Sequence, residues 1–279
     1  MQVARHTELR CPMIARLSKI WIYPIKSLDP LSVDQVRLTA AGSLYNDRRW
    51  GVVNAQGQWI NGKRDPRVHR LRAQFTLEQE EIVAVTLQAP QHPTASFRLV
   101  KDDRQDDRPQ LEAWLSRYFE QPVELRENPE QGFPDDRQSP GPTIVSEATL
   151  TTVSQWFPGL DVAEIRLRFR ANLELSNVPP FWEDQLFGMK GSDRAFRLGS
   201  VDFWGVNPCL RCVVPTRDPY SGQVTPNFVS HFVAQRRAQL PPWIEDPSHF
   251  DNPYRLTVNT RIAAPSPDPR LCLGDTLTL

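Results

Sequence analysis

The sequence predicts a mainly β protein with a few helices, of the α+β class. Short segments rich in branched and aromatic side chains recur along the 279 residues, with turn-forming stretches between them. Helical periodicity is confined to three stretches. Short strands with short connections are typical of barrels and sandwiches, whereas a doubly wound sheet would alternate strands with helices.

The first half of the chain contains many of the predicted strands. The segments ARLSKIWIYPI, LSVDQVRLT, LRAQFTLEQEEIVAVTLQAP and ASFRLV are strand-like, and RRWGVVNAQGQWIN predicts a hairpin that turns at Gln56 and Gly57. The segment DRPQLEAWLSRYFEQPV predicts a helix because Leu111, Trp114 and Leu115 recur at helical spacing. We interpret this apolar face as core.

The second half begins after residues 128–142, whose polar, proline-rich composition predicts a long loop and a domain boundary. The segment SEATLTTVSQWFPG predicts a helix with Ser146 as N-cap and Gly159 just past its end. A further helix is predicted in NFVSHFVAQRRAQL. The remaining segments EIRLRFRANLEL, RAFRLGSVDFWGV, YRLTVNTRIAA and LCLGDTLTL are predicted as strands.

Composition disfavours several classes of protein. The 33 basic and 33 acidic residues give zero net charge, which favours neither nucleic acid nor a membrane surface as a partner. No apolar run approaches the ~20 residues of a membrane span, and the N-terminus has no secretory apolar region. We therefore expect a cytoplasmic globular protein. Only five of the 33 basic residues are lysine, an excess of arginine that base composition can explain.

The segment NPCLRCVVPTRDPYSGQ contains two of the four cysteines, Cys209 and Cys212. In a reducing compartment such a close pair indicates a metal ligand, a redox dithiol, a catalytic thiolate or a packed structural pair rather than a disulfide. A structural zinc site needs four ligands, and the chain offers only Cys11, Cys272 and five scattered histidines besides. Because Arg211 precedes Cys212 and a cation favours the thiolate, Cys212 is better placed for chemistry.

Several segments occur in the same order as motifs of MOSC proteins. The segment NPCLRCVVPTRDPYSG resembles the family signature C-x-R-C-x-x-T-T-x-D-P-x-T-G, IWIYPIKSL resembles Y-P-V/I-K-S, and NDRRWGVVNAQGQWINGKRDPRV resembles a D-R-x-W hairpin. Four further segments, TIVSEATL, RFRANLEL, PFWEDQLFG and LCLGDTLTL, resemble later elements of the family. The resemblance extends from about Ile14 to Leu279. The family includes the C-terminal domain of molybdenum cofactor sulfurases and the mitochondrial amidoxime-reducing component.

The resemblance implies a molybdenum cofactor (molybdopterin) between an N-terminal β domain and a C-terminal MOSC β barrel. The second cysteine of the family signature is the protein ligand of molybdenum, so Cys212 is the predicted metal ligand and catalytic residue; a thiolate is a suitably soft ligand. Cys209 is expected to be a small packing residue whose loss is tolerated. The predicted cofactor-binding residues, carried over from family motifs, are Lys26, Ser27, Arg48, Ser146, Arg170, Asn172 and Arg211.

The same resemblance implies two candidate functions. The first is the reductive removal of oxygen from small N-hydroxylated compounds by a molybdenum-dependent oxidoreductase. Its electrons would come from a separate ferredoxin-, flavoprotein- or cytochrome b5-like protein, because no iron–sulfur cluster is expected in this chain. The alternative is a non-catalytic carrier of the cofactor or of a persulfide on Cys212. Metal binding and pyridoxal phosphate binding also belong to the family description, whereas no nucleic-acid or membrane partner is expected.

Some positions depart from the family pattern. Leu210 stands where small polar residues are common, Pro215 replaces a threonine of the signature, and Ala171 replaces the proline of R-P-N. Since Leu210 and Pro215 adjoin the predicted metal position, we expect them to affect substrate choice. Glu183 and Asp184 are candidates for orienting the substrate or a neighbouring arginine.

The matched motifs also divide the chain into three regions. Residues 1–13 match nothing in the family and are expected to form a disordered extension, unless translation starts at Met13. Residues 14–130 are the expected N-terminal MOSC-associated β domain. Residues 140–279 are the expected MOSC domain.

Overall fold

The computed structural model describes residues 14–99, 107–263 and 269–279, so the extension predicted for residues 1–13 lies outside the described part. The described residues form fifteen β-strands and four α-helices, with a few short 3-10 helices between them. The prediction of a mainly β protein is therefore confirmed. None of the described helices combines the length and the apolar character needed to cross a membrane.

The strands are numbered in chain order. They are β1 (Arg16–Ile22), β2 (Leu31–Val33), β3 (Gln35–Arg37), β4 (Trp50–Asn54), β5 (Arg72–Glu78), β6 (Glu81–Ala89), β7 (His92–Arg98), β8 (Val123–Glu127), β9 (Ile144–Ser146), β10 (Leu173–Ser176), β11 (Arg194–Leu198), β12 (Val201–Leu210), β13 (Arg255–Ile262), β14 (Arg270–Cys272) and β15 (Leu277–Thr278). Eight of them form the largest sheet, in the order β15-β11-β12-β13-β9-β10-β1-β2.

The eight-stranded sheet joins the two halves of the chain, because β1 lies between β2 and β10, and β10 follows residues 128–142. Neighbouring strands are antiparallel except β9 and β10, which are parallel. Over the described residues the ladder is not closed. The backbone N–H of Leu17 nevertheless donates to the carbonyl of Asp275 (2.8 Å), and that of Leu277 donates to Ala15 (2.9 Å). These bonds place the last strand beside the first.

Three smaller sheets complete the described β structure, with the strand orders β5-β6-β7, β4-β8 and β3-β14. The hairpin predicted after β4 is present as a tight turn, in which the N–H of Asn54 donates to the carbonyl of Gln58 (3.0 Å). Val53 and Trp59 form a bridge across this turn. Gly57 has a φ of 71°, a left-handed conformation that glycine adopts without steric cost.

The four helices are α1 (Arg108–Tyr118), α2 (Glu147–Trp156), α3 (Val162–Phe169) and α4 (Phe228–Ala238). Three of them, α1, α2 and α4, were predicted and are confirmed. Leu111, Trp114 and Leu115 are buried on one face of α1, as their spacing predicts. Ser146 caps α2 by accepting a hydrogen bond from the N–H of Thr149 (3.0 Å).

The prediction of a strand over EIRLRF is wrong, because these residues belong to α3. Charged and apolar residues alternate there, a pattern that a short helix and a strand share. The helix is favoured by Asp161, whose carboxylate accepts from the N–H of Glu164 (2.7 Å), and by an i,i+4 pair between Glu164 and Arg168. Arg170 ends the helix in a left-handed conformation, with a φ of 54°.

Two apolar clusters hold these elements together. The larger lies under the sheets and α1. The smaller packs α2, α3 and α4 against each other through aromatic rings. Within it, the rings of Phe157 and Phe228 stack with centroids 4.3 Å apart, and those of Phe169 and Phe232 are 5.6 Å apart. This packing fixes the end of α3, where Arg170 leaves the helix.

Candidate functional site

A cavity of about 800 Å³ lies between the segment after β1, the end of α3 and the end of β12. Its lining includes seven of the eight predicted site residues, although they are far apart in the sequence. These residues are Lys26, Ser27, Arg48, Arg170, Asn172, Arg211 and Cys212. Folding thus brings most of the predicted residues to one place.

Two cations at one end of the cavity have carboxylate partners. Lys26 donates from Nζ to Asp135 (2.6 Å) and to the carbonyl of Phe133 (2.8 Å). Burial lowers the pKa of Lys26, and Asp135 partly offsets this effect. Arg48 pairs with Asp47.

Arg170 lies beside them without an acidic partner. Its Nη2 donates to the carbonyl of Leu28 (2.8 Å), and its guanidinium lies 4.1 Å from the centroid of the Tyr23 ring. No carboxylate of the described residues is within ion-pair distance of it. Burial lowers the pKa of Arg170, and repulsion from Arg48 adds to this effect. An anion bound here would stabilise the charged guanidinium.

Three residues at this end of the cavity have left-handed backbone conformations. They are Ser27, Arg48 and Arg170, with φ of 74°, 52° and 54°. Residues other than glycine adopt this conformation uncommonly, and where they do, the surrounding structure holds them in it. Such residues cluster at ligand sites. The sequence carries no signal of this strain, since none of the three is glycine or asparagine.

Asn172 shapes the wall behind these cations. Its Nδ2 donates to the carbonyl of Trp21 (3.0 Å), and its Oδ1 accepts from the N–H (3.2 Å) and the hydroxyl (3.3 Å) of Thr143. These bonds tie β1 and the segment before β9 to the start of β10. The amide group of Asn172 is therefore largely used in holding the cavity wall together.

The cavity also contains the two cysteines of the signature segment, both half-buried and both free thiols. Arg211 donates from Nη2 to the carbonyl of Phe169 (2.6 Å) and from Nη1 to the sulfur of Cys209 (3.2 Å). Cys209 lines the cavity as well, a placement that its predicted role as a small packing residue does not include. The spacing of the pair in the sequence did not reveal this contact.

Thr257 on β13 supports Arg211 from a strained position. Its φ is 71°, an outlier for a β-branched residue, and its hydroxyl accepts from Nη1 of Arg211 (3.5 Å). Thr257 is buried. The strained strand therefore contributes to the placement of Arg211 beside Cys209.

The turn expected after the cysteines is present. Asp218 accepts from the N–H groups of Tyr220 (3.0 Å) and Ser221 (2.6 Å), and these bonds contribute to a lowered pKa of its carboxyl group despite partial burial. Gly222 has a φ of 75°, and a Cβ there would lie 2.7 Å from the carbonyl oxygen of Pro66. The glycine thus lets the turn pack against the N-terminal half of the chain.

Ser146 is the predicted site residue that lies elsewhere. Its side chain is fully buried and does not line the cavity; its hydroxyl caps α2 and contacts the hydroxyl of Thr149 (2.8 Å). The capping role seen in the sequence is thus the one that its contacts support.

Ser146→Ala is expected to lower the free energy of unfolding by about 1 kcal/mol, because a helix cap is lost. Chemical denaturation measures this loss, and metal analysis should find the cofactor content unchanged. Ser230→Ala, which removes a hydroxyl on α4 that does not cap the helix, is the control and should change stability by less than about 0.5 kcal/mol. Loss of the cofactor in Ser146→Ala alone would argue for a direct contact.

Glu183 and Asp184 are buried in the short 3-10 helix Trp182–Leu186 and do not line the cavity. Asp184 forms a buried ion pair with Arg236, so it orients an arginine as the sequence suggested. Glu183 is buried beside the hydroxyls of Ser146 and Thr149, which only partly offset the effect of burial on its pKa. Burial, and then the charge of Asp184, raises the pKa of Glu183 to about 7.

The raised pKa of Glu183 predicts a pH-dependent stability. Because the folded state binds this proton more tightly than the unfolded state, stability falls as pH rises from about 4.5 through about 7. Glu183→Gln should remove this loss and raise stability at pH 8 by on the order of 1–3 kcal/mol relative to wild type. Thermal melts at pH 5 and pH 8 measure it, with Glu130→Gln on the surface as control. Parallel pH profiles for wild type and Glu183→Gln would contradict the assignment.

The sequence missed several residues that line the cavity. Arg255 and Asn259 lie on β13 and face it across from β12, while Asn61 and His69 line it from the N-terminal half. Asn61 lies in the segment from which Arg48 was predicted, whereas the other three lie outside the segments that supplied predicted site residues. The pairing register of β12 with β13 positions Arg255 and Asn259, and that register is not readable from one sequence.

A family model described as "MOSC N-terminal beta barrel domain" matches residues 14–122. Residues 14–122 are thus similar to a MOSC N-terminal domain. This match confirms the resemblance that the sequence motifs predict. Lys26, Ser27 and Arg48 lie within the matched residues, whereas Cys212 lies beyond them.

Curated relatives agree with this family. The chain is 24% identical over 225 residues to "Molybdenum cofactor sulfurase" of Caenorhabditis elegans, an alignment that covers 75% of this chain and 30% of the relative. It is 25% identical over 247 residues to "Mitochondrial amidoxime-reducing component 1" of Danio rerio, covering 77% of this chain and 72% of the relative. The chain thus spans less than one third of the length of the sulfurase.

Among solved structures, the YUAD protein from Bacillus subtilis aligns over 95% of this chain and 94% of its own length. The sequence identity is 12% and the TM-score is 0.36, a similarity too low to indicate function.

Proposed function

We propose that this chain binds a molybdenum cofactor and reduces small N-hydroxylated compounds. The observation that carries the proposal is the single cavity in which a thiol and a cluster of cations with incomplete acidic pairing lie together. The activities named for the relatives, molybdenum cofactor sulfurase and amidoxime-reducing component, support the same chemistry. The substrate is a small molecule, and the electron donor is a separate protein.

The chemistry of the cavity residues fits such a cofactor. Arg170 has no carboxylate partner among the described residues, and an anionic pterin phosphate would supply its missing counter-charge. Lys26 and Arg48 add a point charge and a second guanidinium at the same end. Cys212 in the same cavity offers the soft sulfur ligand that suits molybdenum.

These residues have distinct roles in the proposed reaction. When bound, the molybdenum cofactor supplies the two-electron redox chemistry that removes an oxygen atom from the substrate. Lys26, Arg48 and Arg170 would hold the phosphate, and Cys212 would be the protein ligand of the metal. Arg211, fixed by Phe169 and Thr257, keeps a positive charge beside the sulfur of Cys209. The protein thus contributes binding, orientation and charge.

A second candidate function is a carrier that holds the cofactor, or a persulfide on Cys212, and transfers it to another protein. The alignment with a molybdenum cofactor sulfurase over 75% of this chain favours this candidate. The two functions differ in turnover, because a carrier binds without reducing substrate.

Metal analysis tests the proposal first. The full chain, purified from a host that makes molybdenum cofactor, should contain molybdenum and pterin near one per chain. The loaded protein should then reduce benzamidoxime with dithionite-reduced methyl viologen as donor. Bound molybdenum without turnover over several donors and substrates would favour the carrier. Absence of molybdenum would reject the reductase and the cofactor carrier, and would leave only a carrier of a persulfide on Cys212.

A further inference from the structure

The cavity wall beyond Cys212 is built by the paired ends of β12 and β13. Leu210 lies opposite Arg255 in the register of the two strands, and Asn207 lies opposite Asn259. All four residues line the cavity. Because opposite residues in an antiparallel pair project to the same face, this wall presents an apolar side chain, a guanidinium and two amides together.

Arg255 carries a positive charge that no acidic group of the described residues neutralises. Its Nη1 donates to the carbonyl of Pro208 (2.7 Å), and its Nε is buried without a partner. Partial burial lowers its pKa. The cavity cations Lys26, Arg48, Arg72 and Arg168, in contrast, each have a carboxylate within ion-pair distance. A partly desolvated guanidinium of this kind favours an anionic ligand.

Two other arginines of the cavity also lack acidic partners, but each already has another role. Arg170 lies with Lys26 and Arg48 at the end proposed to hold the phosphate. Arg211 has its two Nη atoms on Phe169, Cys209 and Thr257. Arg255 is therefore the arginine of this set that the proposed cofactor contacts do not use.

Leu210 adds an apolar surface next to Arg255. Its side chain is 51% exposed, which is high for a leucine at a cavity wall. Val213, one residue beyond Cys212, is exposed as well. An organic substrate with an apolar body would cover Leu210. Removing this apolar surface from water would contribute favourably to the free energy of binding.

We propose that Arg255 binds an acidic group of the substrate while Leu210 contacts its apolar body. The substrate class is thus N-hydroxylated compounds that also carry a carboxylate or a similar oxyanion. This inference rests on the proposed function, since it concerns substrates of the same cavity.

The test compares two amidoximes of matched size on the cofactor-loaded full chain. The acid, para-carboxybenzamidoxime, should have a KM about tenfold to a hundredfold below that of the neutral para-carbamoylbenzamidoxime, with similar kcat. Added salt should reduce the difference, because it screens the charge pair. Equal KM values in wild type would overturn the inference and leave the proposed reductase intact.

Variants of Arg255 test whether this residue causes the preference for the acidic amidoxime. Arg255→Gln should raise the KM of the acid toward that of the neutral compound, and Arg255→Lys should keep part of the preference. Arg237→Gln removes an exposed positive charge on α4 and is the matched control, which should behave as wild type. A preference that survives in Arg255→Gln, with an unchanged thermal melt, would contradict the assignment.

Calorimetry gives a measurement that needs no turnover. The non-reducible para-carboxybenzamide should bind wild type and lose about tenfold or more in affinity in Arg255→Gln. If neither amidoxime is reduced, the reductase proposal fails, and this binding experiment still decides the role of Arg255. Equal affinity for both proteins would overturn it.

Discussion

Cys212→Ala is expected to abolish the reduction of benzamidoxime, by about a thousandfold or more, while the fold is retained. Cys212 lines the cavity as a half-buried free thiol, so a smaller side chain there fits without a clash. The loss follows from removal of the proposed sulfur ligand of the metal. Steady-state kinetics with an artificial donor measures it, and the molybdenum content per chain is measured on the same samples.

Two further cysteine variants make this result specific. Cys272→Ala changes a half-buried thiol that does not line the cavity, and it should keep full activity. Cys209→Ala removes the sulfur that accepts from Arg211, so it should reduce activity without abolishing it. Full turnover by metal-loaded Cys212→Ala would show that this thiol is not the ligand.

Gly205→Ala is expected to lower the free energy of unfolding by about 3 kcal/mol or more. Gly205 lies in β12, between Arg194 of β11 and Thr260 of β13. A Cβ at this position would lie 1.7 Å from the carbonyl oxygen of Leu186. The obstacle is backbone, which cannot move aside as the end of a flexible side chain can. Urea unfolding of the purified variant measures the loss.

Gly57→Ala is the matched control for this prediction. Gly57 has a left-handed backbone, but a Cβ there would meet no described atom within 4 Å. Gly57→Ala should therefore lower the free energy of unfolding by about 1 kcal/mol, from backbone strain alone. If both variants lose the same free energy, the close approach of Leu186 to β12 is not as described.

The cavity end with the cations could be predicted because its residues lie in short motifs. Lys26, Arg48 and Arg170 were each identified within a matched segment, and the fold places all three along one cavity. The N-cap at Ser146 was also readable, since capping depends on residues within one turn of helix. The sequence thus predicts well those features of the fold that depend on local interactions.

Features that depend on distant segments could not be predicted. Arg255 reaches the cavity wall through the register of β13 on β12. The contact between Arg211 and Cys209 depends on the carbonyl of Phe169 and on the strained backbone of Thr257. The strand prediction for the segment of α3 is wrong for a different reason. Alternation over so few residues does not distinguish a helix from a strand.

The pairing of β1 with residues near 275 has a consequence for the order of folding. The N–H of Leu17 donates to the carbonyl of Asp275, so the first half of β1 acquires this partner only after residue 275 has been synthesised. Contacts of such long sequence separation slow folding, because a large loop must close before they form. Until then this half of β1 pairs with β10 on one side only, and an unpaired strand edge is prone to aggregation. We therefore expect slow refolding and a benefit from chaperones during synthesis.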